Sequence, residues 1–319
     1  MTTNRKKVTM KDIAIRANVT TQTVSRALNN SPNILPETKK RVLEIARSLN
    51  YVKNNNASIL RSGQSKIIAV FYDNLRNLYF SVASDLIEEQ LRKHGYTIMT
   101  IPVFKDKITS EMYNYALSLN VAGIITFLEV DDEVANTIKN NPFPIILYGR
   151  KSTYENIGYI CIDDVEGGRL AGNELLSLGG RKFLYVSESL NLGCAYDRYL
   201  GLKKSIGDKP LEVIDVTTKT IEDGLNYLFK NNYEPDSIFC FNDMLAFGVI
   251  RYYEKNHLNK PNIVGFDALS NQILLPCELK SVGVDEVNMA MLGATHLINL
   301  IENRSNNDVN VVMPVKLFK

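Results

Sequence analysis

Thr21, Gln22 and Arg26 fall on one edge of a short helix whose opposite edge is built from Val24, Ala27 and Leu28. The chemistry open to such an edge is hydrogen bonding to flat surfaces that carry donors and acceptors. Gln can bond bidentately to adenine and Arg to guanine, while Thr offers a hydroxyl or a methyl contact to thymine. Thr9, Thr20, Ser25, Asn33 and Lys39 surround the edge, and Arg5-Lys6-Lys7 precede it. These side chains suit phosphate oxygens, and such contacts fix register rather than sequence. Other chemistry finds little support. His94, His257 and His296 have no metal-ligand spacing, and no Ser-His-Asp order or nucleophile elbow occurs. The run Gly167-Gly168-Arg169-Leu170-Ala171-Gly172 lacks the G-x-G-x-x-G spacing, and no acidic residue follows about 20 positions on at a second strand end. Its glycines are read as sites of close helix packing. No catalytic residue, metal ligand or cofactor is therefore expected, and an α/β enzyme is a remote alternative.

A reading edge works only if other elements hold it rigid. Thr9 is a good N-cap for a helix from Met10 to Ala17, with Asp12 placed to return a capping contact. Ile13, Ala14 and Ala17 share its inner face. Asn18 tolerates the left-handed turn that must follow, and Thr20 caps the second helix, Thr21 to Leu28. Pro36 then opens a third helix that packs through Val42, Ile45, Ala46 and Leu49. This predicts an all-α, three-helix, helix-turn-helix domain over residues 1–53 and a linker over 54–65.

From Ile67 the period changes. Apolar runs at Ile67–Tyr72, Tyr96–Ile101, Gly123–Phe127, Pro144–Tyr148, Tyr159–Ile162, Lys182–Val186, Val213–Val216, Ser237–Phe241 and Asn262–Gly265 alternate with amphipathic helices. That alternation predicts parallel sheets with helices on both faces. About ten strands over residues 66–319 exceed one comfortable core, so two lobes are expected. The boundaries are set at 66–162 with 284–304 for the N-terminal lobe, and at 163–283 with 305–319 for the C-terminal lobe.

Charge divides the chain in the same place. Residues 1–65 carry 12 Lys/Arg against 3 Asp/Glu, whereas residues 66–319 carry 25 against 32. A basic head on an acidic body predicts that only the head approaches a polyanion. The opening residues hold no apolar segment that would act as a secretory signal. The longest apolar stretches are far too short to span a bilayer. Cys161, Cys194, Cys240 and Cys277 have neither zinc-site nor disulfide-framework spacing. A cytoplasmic location and no contact with membranes are expected.

The residues also carry a resemblance. Thr9-Met10-Lys11-Asp12-Ile13-Ala14, Ala17-Asn18-Val19-Thr20 and Thr23-Val24-Ser25-Arg26-Ala27-Leu28-Asn29 resemble the head of the lactose-repressor (LacI) family, and Thr38, Val42 and Asn50-Tyr51 continue the match. Asn54 to Leu60 resembles that family's hinge helix. The resemblance implies that Asn54, Ala57 and Leu60 meet the minor groove, with Leu60 as an apolar wedge. Two Asn in so short a helix lower its helicity, so residues 54–61 are expected to fold only on DNA. Asp163 to Gly168, Leu178 to Lys182, Arg198 with Gly201, Asn242 to Gly248 and Val264 to Asp267 follow the family's order through the body.

The resemblance implies a body like the periplasmic sugar-binding proteins, with a small-molecule effector between the lobes. By the same match Tyr79, Phe80, Arg150, Arg198, Asn242 and Asp267 line that cleft. Two departures bear on the ligand: Gly149 stands where several sugar-responsive members have an acid, and no aromatic lies near Val216, Lys219 being the nearest feature. A sugar or sugar derivative is the expected effector. A phosphorylated or otherwise anionic ligand, a nucleoside, and docking of a phosphorylated carrier protein remain open alternatives. A transporter's solute-binding protein would carry a signal and no basic head. The expected whole is a homodimeric transcription regulator, read as a repressor, on double-stranded DNA with a palindromic operator.

Overall fold

The computed structural model describes residues 8–52, 65–73, 76–105, 107–304 and 309–318. The chain divides into two units, Met1–Gln64 and Ser65–Lys319.

In the first unit, helices α1 (Met10–Ala17), α2 (Thr21–Leu28) and α3 (Pro36–Ser48) enclose Ile13, Ala14, Ala17, Val24, Ala27, Val42 and Ala46. The local signals operate as the residue types dictate. Thr9 and Asp12 form a reciprocal capping box, Asn18 adopts φ 50°, Thr20 caps α2 by accepting from Thr23 N, and Pro36 opens α3. Leu28 is half-buried rather than a full core residue.

The second unit contains two six-stranded sheets. The first holds β1 (Ile67–Tyr72), β2 (Thr97–Pro102), β4 (Gly123–Thr126), β6 (Ile145–Tyr148), β7 (Gly158–Ile162) and β13 (Asn310–Met313), in the spatial order β13-β7-β6-β4-β1-β2, all parallel. The second holds β8 (Phe183–Ser187), β9 (Leu211–Asp215), β10 (Ser237–Cys240), β11 (Asn262–Phe266), β12 (Lys280–Gly283) and β14 (Lys316–Phe318), in the order β14-β12-β11-β10-β8-β9. Only β14 runs antiparallel. The short strands β3 (Lys107–Ile108) and β5 (Glu129–Val130) form a separate parallel pair.

Helices cover both faces of each sheet: α4 (Leu78–Arg92), α5 (Ser110–Ser118), α6 (Asp132–Asn140), α7 (Asp164–Ser177), α8 (Gly193–Ile206), α9 (Ile221–Lys230), α10 (Asp243–Lys255) and α11 (Glu286–Ile301). Burial on two faces explains why β1, β8 and β10 are apolar almost throughout. Alternate residues feed different cores. Ile68, Val70 and Tyr72 join the layer shared by both lobes, while Ala69 and Phe71 join the outer layer of the first lobe.

The chain passes between the lobes three times: at Asp163, between β12 and α11, and at Pro314-Val315. This corrects the assignment of residues 305–319 to the second lobe. Residues 310–313 add to the first sheet, with Asn310 opposite Tyr159 and Met313 opposite Ile162, and only 316–318 reach the second. The physical reason is Pro314. It has no N–H to continue the ladder, so one apparent terminal strand becomes two that serve different sheets. Among the described residues no helix is long and apolar enough to cross a membrane.

Candidate functional site

The head presents its polar edge as the sequence spacing requires. Thr21, Gln22 and Arg26 are exposed, and none of the three side chains has a hydrogen-bond or ion-pair partner among the described residues. Burial of Val24 and Ala27 against α1 and α3 fixes which edge of α2 faces outward. The surrounding polar groups are not equivalent. Thr9 Oγ1 donates to Asp12 Oδ2 at 2.7 Å, so its proton is already committed and it is a weak candidate for phosphate. Thr20 Oγ1 shares a 3.0 Å contact with Thr23 Oγ1 and accepts from Thr23 N. Ser25 Oγ accepts from Asn29 at 3.4 Å, which leaves its own proton to donate. Asn33 is exposed in the turn before α3, and Lys39 is half-buried with no ion pair among the described residues. Asn54, Ala57 and Leu60, together with the expectation of folding on DNA, lie outside the described residues.

The body holds a cavity of about 270 Å³ at the carboxyl ends of the strands of both sheets. That volume is close to the lower end of ligand pockets, roughly 300–1,000 Å³, and the location follows the rule for open α/β sheets. All six residues expected there line it: Tyr79, Phe80, Arg150, Arg198, Asn242 and Asp267. Their roles differ.

Arg198 is only 6% exposed. Its Nε donates to Asp164 Oδ1 at 2.7 Å and its Nη1 to the Phe241 carbonyl, and its guanidinium lies 3.5 Å from the Phe266 ring centre and 4.5 Å from that of Phe241. Burial opposes its charge, but Asp164 more than compensates and its pKa is raised. For Asp164 burial dominates over the Arg198 attraction, so its carboxyl is also raised. Arg198 therefore braces the floor of the cavity, with Nη2 alone left without a partner among the described residues.

Asn242 is the N-cap of α10. Its Oδ1 accepts from Leu245 N at 2.8 Å, leaving the amide donors for a ligand. Asp267 follows β11 at φ 101°, a backbone region that few L-residues adopt, and its buried Oδ2 has no hydrogen-bond partner among the described residues. Burial raises its pKa well above the ordinary carboxylate range, against the pull of Arg198. From the first lobe, Tyr79, Phe80, Phe127 and Tyr148 form an aromatic wall, with the rings of Phe80 and Phe127 and of Phe127 and Tyr148 each centred 5.2 Å apart. Lys219 lies over Tyr227 and does not line the cavity.

Glu286, Tyr148, Glu188, Asp73 and Lys105 also line the cavity and were not anticipated there. Glu286 is 6% exposed, and its Oε1 accepts from Tyr148 at 2.7 Å and Tyr79 at 3.4 Å. Burial pushes its carboxyl up to about 7, although both phenols oppose the shift. Had β12 been recognised, the rule that ligands gather past strand ends would have found Glu286. The polar start of that strand, Lys280-Ser281, hid it. Cys194 lines the cavity as a thiol pushed up to about 11 by burial, which keeps it protonated and inert.

The Gly-rich run serves packing. A Cβ on Gly168 would collide with the Arg198 carbonyl, and one on Gly201 with that of Val165, so α7 and α8 approach at backbone distance. Among the described residues no group of three His, Cys, Asp or Glu is placed to hold a metal ion.

Residues 9–54 match the bacterial regulatory proteins of the lacI family, and residues 68–275 match a periplasmic binding protein domain. The HTH-type transcriptional regulator MalR of Clostridium butyricum and the catabolite control protein A of Staphylococcus xylosus are each 26% identical to the chain, with 97% of both proteins aligned. The crystal structure of the lac repressor dimer bound to operator and the anti-inducer ONPF resembles it with a TM-score of 0.80 at 22% identity, covering 98% of each chain. At that identity the likeness shows a shared fold.

Proposed function

Because the chain belongs to the lacI family of bacterial regulatory proteins, with a body of the periplasmic-binding-protein type, we propose that it is a sequence-specific, DNA-binding transcription regulator whose affinity for its operator is switched by a small molecule in the body cavity. The observation that carries this reading is the edge of Thr21, Gln22 and Arg26, without partners among the described residues, on a head rich in Lys and Arg. In water such an edge is solvated at little cost, and a duplex groove offers the donors and acceptors that complete it. Arg26 and Gln22 take base edges, Thr21 supplies a further contact, and Ser25, Thr20, Asn33 and Lys39 meet phosphates.

The protein acts as a homodimer, since two heads are needed to match the two halves of a palindromic site. The similar lac repressor structure is a dimer on its operator. The effector is a small polyhydroxylated molecule, a sugar or sugar derivative, held by Asp267, Asn242 and the Nη2 of Arg198 and covered by the aromatic wall. The cleft binds without turnover, and DNA as partner places the protein in the cytoplasm. Asn54, Ala57 and Leu60 form the minor-groove contact of each half-site.

Selection of duplexes from a random pool by the full-length protein, with and without a metabolite extract, tests this directly. The expected product is a two-fold symmetric site whose enrichment changes with the extract. Equal retention of all duplexes, or unchanged retention after deletion of residues 1–64, would remove the reading.

A further inference from the structure

Glu286 is a buried carboxyl whose hydrogen bonding is left incomplete. It is the first residue of α11, where the unsatisfied amide groups of a 16-residue helix favour negative charge. Both phenols, Tyr148 from β6 and Tyr79 from α4, donate to the same oxygen, Oε1. Oε2 has no partner among the described residues. Asp267 faces the same cavity from the other lobe with an unpaired, fully buried Oδ2. A buried carboxylate ordinarily needs a cation or several donors to offset its desolvation.

Among the described residues no cation is ion-paired with either carboxyl, although the Arg198 charge attracts Asp267 from beyond ion-pair distance. Arg198 is committed to Asp164 and to the Phe241 carbonyl. Lys105 is exposed and Arg150 half-buried, and neither is ion-paired with Asp267 or Glu286. Besides Arg198, the cavity lining carries Glu188, Asp267 and Glu286 against Lys105 and Arg150, with no ion pair joining these five among the described residues.

We propose that the effector carries a protonated nitrogen, as an amino-substituted polyol does, and that Glu286 with Asp267 receives it. The inference rests on the small-molecule reading of the cleft and narrows it by charge. A phosphorylated ligand meets uncompensated carboxyls on both sides of the cavity and is disfavoured. Tyr79 and Tyr148 act as positioning residues that keep Oε1 occupied and turn Oε2 toward the ligand.

The test uses the full-length protein and a bacterial metabolite extract split at pH 7 on ion exchangers into cationic, neutral and anionic pools. Each pool is read by thermal shift and by its effect on binding to the selected duplex. The cationic pool is expected to raise the wild-type unfolding temperature and alter duplex binding. Glu286→Gln, an isosteric change whose folding is checked by its own unfolding transition, is expected to lose about tenfold or more in affinity for the active component. Asp267→Asn, carrying its change on the other lobe, reads the same effect if the first variant does not fold. Activity confined to the neutral or anionic pool overturns the inference while the small-molecule reading stands. An equal response of wild type and both variants to the cationic pool also overturns it. A response to no pool removes the small-molecule reading, and this inference with it.

Discussion

The head and the body treat polar side chains in opposite ways. In the head, Thr21, Gln22 and Arg26 are exposed and without partners among the described residues, while the burial of Val24 and Ala27 holds their helix in place. In the body, Arg198, Asp164, Asn242 and Asp243 are buried and almost fully committed to one another or to backbone. The difference follows from what each surface must displace. A duplex brings its own charges and releases counterions when they are met, so the reading groups can wait in solvent. A small ligand in a cavity must be stripped of water, so its contacts need to be held in place beforehand.

The largest test of this contrast is to remove Asp164. Asp164→Ala leaves the Arg198 guanidinium buried without its counter-charge, and a loss of about 3–5 kcal/mol is expected in the urea unfolding of the body. The head's own transition should not move. A loss below about 1 kcal/mol would show that Arg198 reaches solvent and that the body is no more pre-paired than the head.

Next in size is Arg26→Ala. It should leave the unfolding transition unchanged but cost about 1–3 kcal/mol in binding the selected duplex, with base preference relaxed at one position of each half-site, read by fluorescence anisotropy. Lost stability instead of lost specificity would place Arg26 on the structural side of the comparison.

The pH dependence of the body separates the regions further. Burial pushes Glu286 up to about 7 and Asp243 up to about 6, from ordinary values of 4.5 and 3.8. In these windows the folded chain holds protons that the unfolded chain has released. Their contribution is complete below the unfolded values and lost as pH rises through the folded ones. Stability should therefore fall between about pH 4 and 7, each retained proton adding about 1.4 kcal/mol per pH unit to the slope. Glu286→Gln should flatten the upper part of that fall, and calorimetry of the ligand-free protein at a series of pH values would show whether it does.

The smallest effect belongs to Lys39→Ala. It should weaken every duplex alike and reduce the salt slope by about one unit, without altering preference. Any sequence-dependent loss would move Lys39 from phosphate to base contact.

How much of this was legible in the sequence depended on whether a local signal existed. The head was read almost residue by residue, because the caps Thr9 and Thr20, the turn at Asn18 and Pro36 act through neighbours three or four positions away. Strands such as β1 and β8 declared themselves as apolar runs. Strands β3, β5, β12 and β13 did not, since two are only two residues long, one begins with Lys280-Ser281, and one is cut short by Pro314. The six cavity residues expected from the family's pattern do meet there. Yet the pattern could not show that Arg198 is spent on Asp164, a contact between residues 34 positions apart. Nor could it bring Tyr79, Tyr148 and Glu286 together from three separate elements.

The split at Pro314 has a mechanical consequence. Two chain segments joining a pair of rigid plates would let them both fold and shear, whereas a third, contributed by β13 and β14, ties their edges at another point. A sideways slip must then strain three connections simultaneously, so opening and closing of the cleft is the motion they oppose least. Such a linkage suits a part whose task is to turn a molecule caught in the cleft into a displacement of defined direction.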